Sequence, residues 1–152
     1  MHSPSKLNTA ILKNLTGDRI MTIELKYLTF VSLLTALMWV PYILNTIMVR
    51  GLVNAVGYPD NPKPLSHWAS RMKAAHGNAI ENLVVFAALV LIANVSGVSN
   101  EITTMACLIY FWARLVHYLV YTFGIPWIRT LAFATGSLCQ IALAVQILGS
   151  GL

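Results

Sequence analysis

Four long apolar segments with short polar breaks organise the chain. The first runs from about residue 23 to 49, and its Tyr27–Val49 part carries no charge. The second covers about 67–95, the third about 101–123 and the fourth about 126–148. Each is long enough to cross ~30 Å of hydrocarbon as a helix. Residues 1–22 are polar and weakly patterned, without the apolar core of a signal peptide, and read as a tail. Met21 is a candidate natural start, because the ordered pattern begins just after it.

Punctuation sharpens these elements. Pro41 falls inside the first segment and should kink it by removing one backbone hydrogen bond. Residues 51–65 read as the longest loop, stiffened by Pro59, Pro62 and Pro64 on the approach to Ser66, a helix-capping residue type. Ser99 or Asn100 should cap the third helix, and Gly124-Ile-Pro126 separates it from the fourth. The predicted fold is all-α: an integral membrane four-helix bundle forming one domain over residues 23–152.

Composition agrees. Of 152 residues 57% are hydrophobic and only 10% charged, with a mean hydropathy of +0.69. A soluble domain would carry about a quarter charged residues. Cys107 and Cys139 sit in apolar runs and read as small buried hydrophobes, and no Cys/His spacing suggests a metal. The net charge of +5 suits interfacial arginines and an anionic ligand, not nucleic acid.

The second segment opens on Arg71-Met-Lys-Ala-Ala-His-Gly-Asn-Ala-Ile-Glu-Asn82. At ~100° per residue Arg71, Ala75, Asn78 and Asn82 form one stripe, with Glu81 one ridge away. An acid at mid-membrane costs roughly 2.5–3.5 kcal/mol on insertion scales, so Glu81 requires a partner. On the third helix Arg114, His117, Tyr118 and Tyr121 share a face, the last three at about −60°, +40° and −20° from the arginine. Arg129 stands at the start of the fourth, where the helix dipole disfavours a cation.

Each residue also has a purely structural reading. Glu81 with Arg114 fits a buried ion pair between helices. Asn78, Gln140 and Gln146 fit interhelical hydrogen bonds, and His117 a satisfied core histidine. Tyr118 and Tyr121 fit an aromatic belt, Arg50 and Arg129 interface anchors. Jointly, three arginines and one glutamate delivered to one depth by three helices exceed what a structural pair needs.

Two stretches resemble the MAPEG family, the membrane-associated proteins of eicosanoid and glutathione metabolism. Arg71-x-x-x-Ala75-His76-x-Asn78-x-x-Glu81-Asn82 is similar to the second-helix signature of the microsomal glutathione transferases. Arg114-Leu-Val-His117-Tyr-Leu-Val-Tyr121, then Gly-Ile-Pro-Trp-Ile-Arg129-Thr, is similar to their third and fourth helices and to those of membrane prostaglandin E synthase. The similarity covers about residues 25–149. It implies a homotrimer of four-helix subunits with glutathione bound between neighbours. It also implies that Arg71, Asn78, Glu81, Arg114, His117 and Tyr121 contact glutathione and that Arg129 stabilises its thiolate. Gly77 replaces a glutathione-binding arginine of the prostaglandin synthase and Thr130 a serine invoked there, which points away from prostaglandin synthesis.

The expected activity is therefore a membrane glutathione transferase or peroxidase acting on lipophilic electrophiles or lipid hydroperoxides from the bilayer. A non-catalytic binding protein on the same fold and a proton-coupled exporter using Glu81 are the alternatives; the exporter would not need Arg114 and Arg129 at one depth. Loop 51–65 and the Gly124 turn share one side with Arg50, Lys63, Arg71, Lys73 and Arg129. The opposite side carries Lys26, Lys6, Lys13 and Arg19. The positive-inside rule, and the glutathione supply that the resemblance implies, lead us to expect an inner or cell membrane with the site side facing the cytoplasm.

Overall fold

The computed structural model describes residues 21–150; the tail expected over 1–22 lies, as far as residue 20, outside them. Among the described residues six helices follow one another: α1 (Ile23–Leu37), α2 (Val40–Arg50), α3 (Leu52–Val56), α4 (His67–Val95), α5 (Glu101–Phe123) and α6 (Pro126–Gly149). Four stretches have the length and apolarity of membrane spans, with α1 and α2 counting as one from Ile23 to Arg50. Large apolar side chains such as Leu33, Leu44, Trp112 and Leu138 point outward all round the bundle. The chain is a multi-pass membrane protein, and lipid replaces water around that surface.

The first span is two helices rather than one, broken at Met38–Trp39 ahead of Pro41. Proline cannot donate to the preceding turn and its ring crowds the carbonyl four residues back. The bundle satisfies the break: Tyr118 Oη donates to the Met38 carbonyl at 3.0 Å. One turn later Tyr42 Oη lies 2.9 Å from His76 Nδ1 in a hydrogen bond to α4. The expected loop 51–65 also differs, since Leu52–Val56 forms the short helix α3 between Gly51 and Gly57. Ser66 occupies the N-cap of α4 as expected but does not cap with its own side chain. Asn45 ties it down instead, donating from Nδ2 to Ser66 Oγ at 2.9 Å and accepting from the Ser66 amide at 3.1 Å.

Helix α5 is the centre of the bundle, packed against α1, α4 and α6. Phe86 stacks on Tyr110 at 3.8 Å among Val31, Val90, Cys107, Cys139 and Leu143, all buried. Ala75 and Ala79 let α1 and α4 approach around Met38, Met72 and Tyr118. Gln140 and Gln146 bridge helices as expected: Gln140 Nε2 donates to the Asn82 carbonyl, and Gln146 Oε1 accepts from Asn100 Nδ2. Asn100 caps α5 in a reciprocal capping box with Thr103. Gly124, at φ 76°, ends α5 in the left-handed conformation that favours glycine. Pro126 then opens α6, fixing where Arg129 begins.

A clamp invisible in the sequence holds the opposite end. Glu24 is buried, and its Oε1 accepts from Thr103 Oγ1 at 2.6 Å, Ser99 Oγ at 2.9 Å and Thr104 Oγ1 at 3.2 Å. The carboxylate thus sits at the N-terminus of α5, where the helix dipole favours an anion. Glu24→Ala strips three hydroxyls of their common acceptor and should cost roughly 2–3 kcal/mol, with Glu24→Gln costing less. Thermal unfolding in detergent checks this. A Glu24→Ala protein melting with the wild type would show that the clamp adds nothing.

Candidate functional site

Asn78 of α4, His117 and Tyr121 of α5, and Arg129, Thr130 and Phe133 of α6 line one cavity of about 230 Å³. Helical register explains the grouping. His117 and Tyr121 are one turn apart on α5, and Arg129 and Phe133 are one turn apart on α6, so two ridges face each other across the Gly124 turn. Asn78 closes the third side. Asn78, Tyr121 and Arg129 are half-buried while Thr130 and Phe133 are exposed, so the cavity opens to the outside of the subunit.

The Arg129 guanidinium stands 4.7 Å over the Tyr121 ring. That ring's face attracts the cation and fixes it without neutralising it. His117 is buried, edge-on to Tyr121 at 5.5 Å and tilted against Phe133 at 6.1 Å. No acid lines the cavity, so its charge balance favours an anion. Thr130 Oγ1 donates to the Pro126 carbonyl at 3.0 Å, which commits its only proton to the backbone.

The remaining sequence-predicted residues surround this cavity at different removes. Arg114 does not line it. Only 2% exposed, it donates from Nη2 to Asn82 Oδ1 at 3.0 Å and from Nη1 to Asn78 Oδ1 at 3.4 Å. The Glu81–Arg114 ion pair is therefore not formed within the subunit, because those donors go to two asparagines. Glu81 lies exposed on α4. Arg71 packs under the α5–α6 turn, donating from Nε to the Thr122 carbonyl at 2.9 Å. A Cβ on Gly124 would lie 3.3 Å from its Cζ. Arg71 thus supports the turn that launches Arg129, as a cation at a helix C-terminus does favourably.

Sequence reasoning missed Phe133 as a wall of the cavity, and Asn82 and Gly136 behind it. Asn82 stood on the α4 stripe beside Asn78. Gly136 lies in an apolar run and carries no signal. Among the described residues no group of three or more His, Cys, Asp or Glu side chains is placed to hold a metal.

Neither a curated protein nor a solved structure gives a match. The model of the MAPEG family matches residues 28–149, which takes in all four spans apart from the first five residues of α1, and every residue of the cavity. The chain belongs to the MAPEG family.

Proposed function

We propose that the protein is a membrane-bound glutathione transferase, with peroxidase activity toward lipid hydroperoxides as a second use of the same thiolate. The observation that carries this reading is the acid-free cavity in which Arg129 is held over Tyr121 beside His117 and Asn78. Glutathione offers two carboxylates, an ammonium and a thiol. Arginine and amide donors suit the carboxylates, and Glu81 suits the ammonium. The thiol reacts only as thiolate, and lowering its pKa by ~2 takes about 2.7 kcal/mol of differential stabilisation. One guanidinium at a partly dehydrated interface supplies that.

In conjugation the sulfur forms a carbon–sulfur bond to the electrophile, the leaving group departs with its electron pair, and the thiol proton goes to solvent. In hydroperoxide reduction two glutathiones give their two electrons to the oxygen–oxygen bond, yielding the disulfide, an alcohol and water. The committed Thr130 hydroxyl and the absence of a side chain at Gly77 favour this generic chemistry over prostaglandin synthesis.

We propose a homotrimer with glutathione between neighbours. Glu81 is exposed on α4 beside Ala74 and Gly77, small residues that admit another helix closely. An acid facing lipid alone would be costly. The cavity side faces the cytoplasm in this reading, so a reporter that works only in the cytoplasm should be inactive when fused after Leu152; an active one reverses the topology. The activity is tested by incubating purified protein with glutathione and an activated chloronitroarene or a fatty-acid hydroperoxide. Turnover of either is expected. Glutathione binding with no turnover of either would make the protein a binding module instead.

A further inference from the structure

Behind the cavity, α4, α5 and α6 converge on one buried guanidinium. Arg114 stands over the Tyr110 ring at 4.9 Å and the Phe133 ring at 5.6 Å. Helix α6 comes this close only because residue 136 is glycine. A Cβ there would lie 2.6 Å from Arg114 Nη2 and 3.0 Å from both Cζ and Nε. Of the two asparagines that receive the guanidinium, Asn82 is itself fixed. Asn82 Nδ2 donates to the Asn78 carbonyl at 2.9 Å, and the Asn82 carbonyl accepts from Tyr110 Oη at 3.1 Å and Gln140 Nε2 at 3.0 Å.

A guanidinium has donors and no acceptor, so it dictates which way an amide turns. Asn78 Oδ1 faces Arg114, and Nδ2 is the amide end left over. No described residue accepts a hydrogen bond from that Nδ2, and Asn78 lines the cavity. We infer that Arg114 is a positioning residue that does not touch substrate: it turns the Asn78 amide so that the cavity wall presents an N–H donor, and Gly136 makes room for it to do so. The site therefore takes a hydrogen-bond acceptor, a carboxylate or amide carbonyl, against Asn78 and disfavours a donor. Arg114 has neutral amides as partners and a buried Nε without one. Its charge consequently polarises the Asn78 amide and strengthens that donor. This deepens the glutathione reading and rests on it, since glutathione is rich in such acceptors.

Calorimetric titration of glutathione into the purified full chain tests the inference. Gly136→Ala adds one methyl group outside the cavity and should weaken binding about tenfold, as should Asn78→Ala. The double variant should lose no more than either alone, because both act through one amide. Asn78→Asp still satisfies Arg114 but offers oxygen to the cavity, and should bind more weakly than Asn78→Ala. A double variant whose loss is the product of the two single losses overturns the inference, as does an Asn78→Asp protein that binds like the wild type. If Gly136→Ala does not fold, the comparison of the Asn78 variants decides. If the wild type binds no glutathione the functional reading fails, and amide orientation is then settled by nuclear magnetic resonance. Overhauser contacts from the Asn78 side-chain amide protons to the His117 or Tyr121 ring uphold it; the absence of any such contact overturns it.

Discussion

Replacing Arg129 by alanine should lower kcat and kcat/KM together by roughly two orders of magnitude while weakening glutathione binding by no more than about tenfold, since Asn78 and Glu81 still meet the carboxylate and ammonium. The size follows from the work assigned to the residue, about 2.7 kcal/mol of thiolate stabilisation. The pattern follows from its place. Arg129 is half-buried over Tyr121 at the start of α6, and its charge is aimed at the cavity rather than at a carboxylate of the protein. A cation there opposes the helix dipole, so stability alone gives no reason for it. Thermal unfolding of Arg129→Ala should accordingly match the wild type or exceed it. The measurements are steady-state kinetics with glutathione varied and a melting curve in the same detergent. Full turnover in Arg129→Ala would make the residue an interface anchor and remove the mechanism proposed above.

Glu81→Gln should weaken glutathione binding by at least roughly tenfold and leave the proposed trimer in place. The substitution keeps the shape and a carbonyl acceptor but removes the charge proposed to meet the ammonium. Glu81 has an exposed carboxylate in the single subunit, so its partner comes from ligand or neighbour. Calorimetry and native mass measurement separate these. Weaker binding by an intact trimer supports the ammonium role. Dissociation of the assembly would assign Glu81 to the subunit contact, and unchanged affinity would remove it from the site.

The four spans were legible because each is an uninterrupted apolar run bounded by polar or helix-breaking residues. The break at Pro41 was legible because proline acts locally, whatever the tertiary context. Helix α3 was not, since five residues between two glycines are too few to show a period. Helical spacing put His117 and Tyr121 on one face of α5, and the family resemblance implied that Asn78 and Arg129 join them, as they do in the cavity. What spacing could not fix was how α4 is rotated in the bundle. On a helical wheel Asn82 lies at about +40° and Glu81 at about −60° from Asn78, so either could have faced Arg114. The interior lies on the Asn82 side, where Ala75, Ala79 and Phe86 are buried, and Glu81 turns outward. Rotation depends on how three helices pack together, which no single segment records. Glu24 was missed for a related reason. An acid in a first helical turn reads as a local dipole effect, whereas its three donors come from residues 99–104.

The most direct measurement is the ultraviolet difference spectrum recorded while glutathione is titrated into the purified wild-type protein at neutral pH. A thiolate absorbance that rises and saturates with binding, and that Arg129→Ala abolishes while binding persists, is what this arrangement of residues predicts. Saturable binding without thiolate absorbance, or no binding at all, would contradict it.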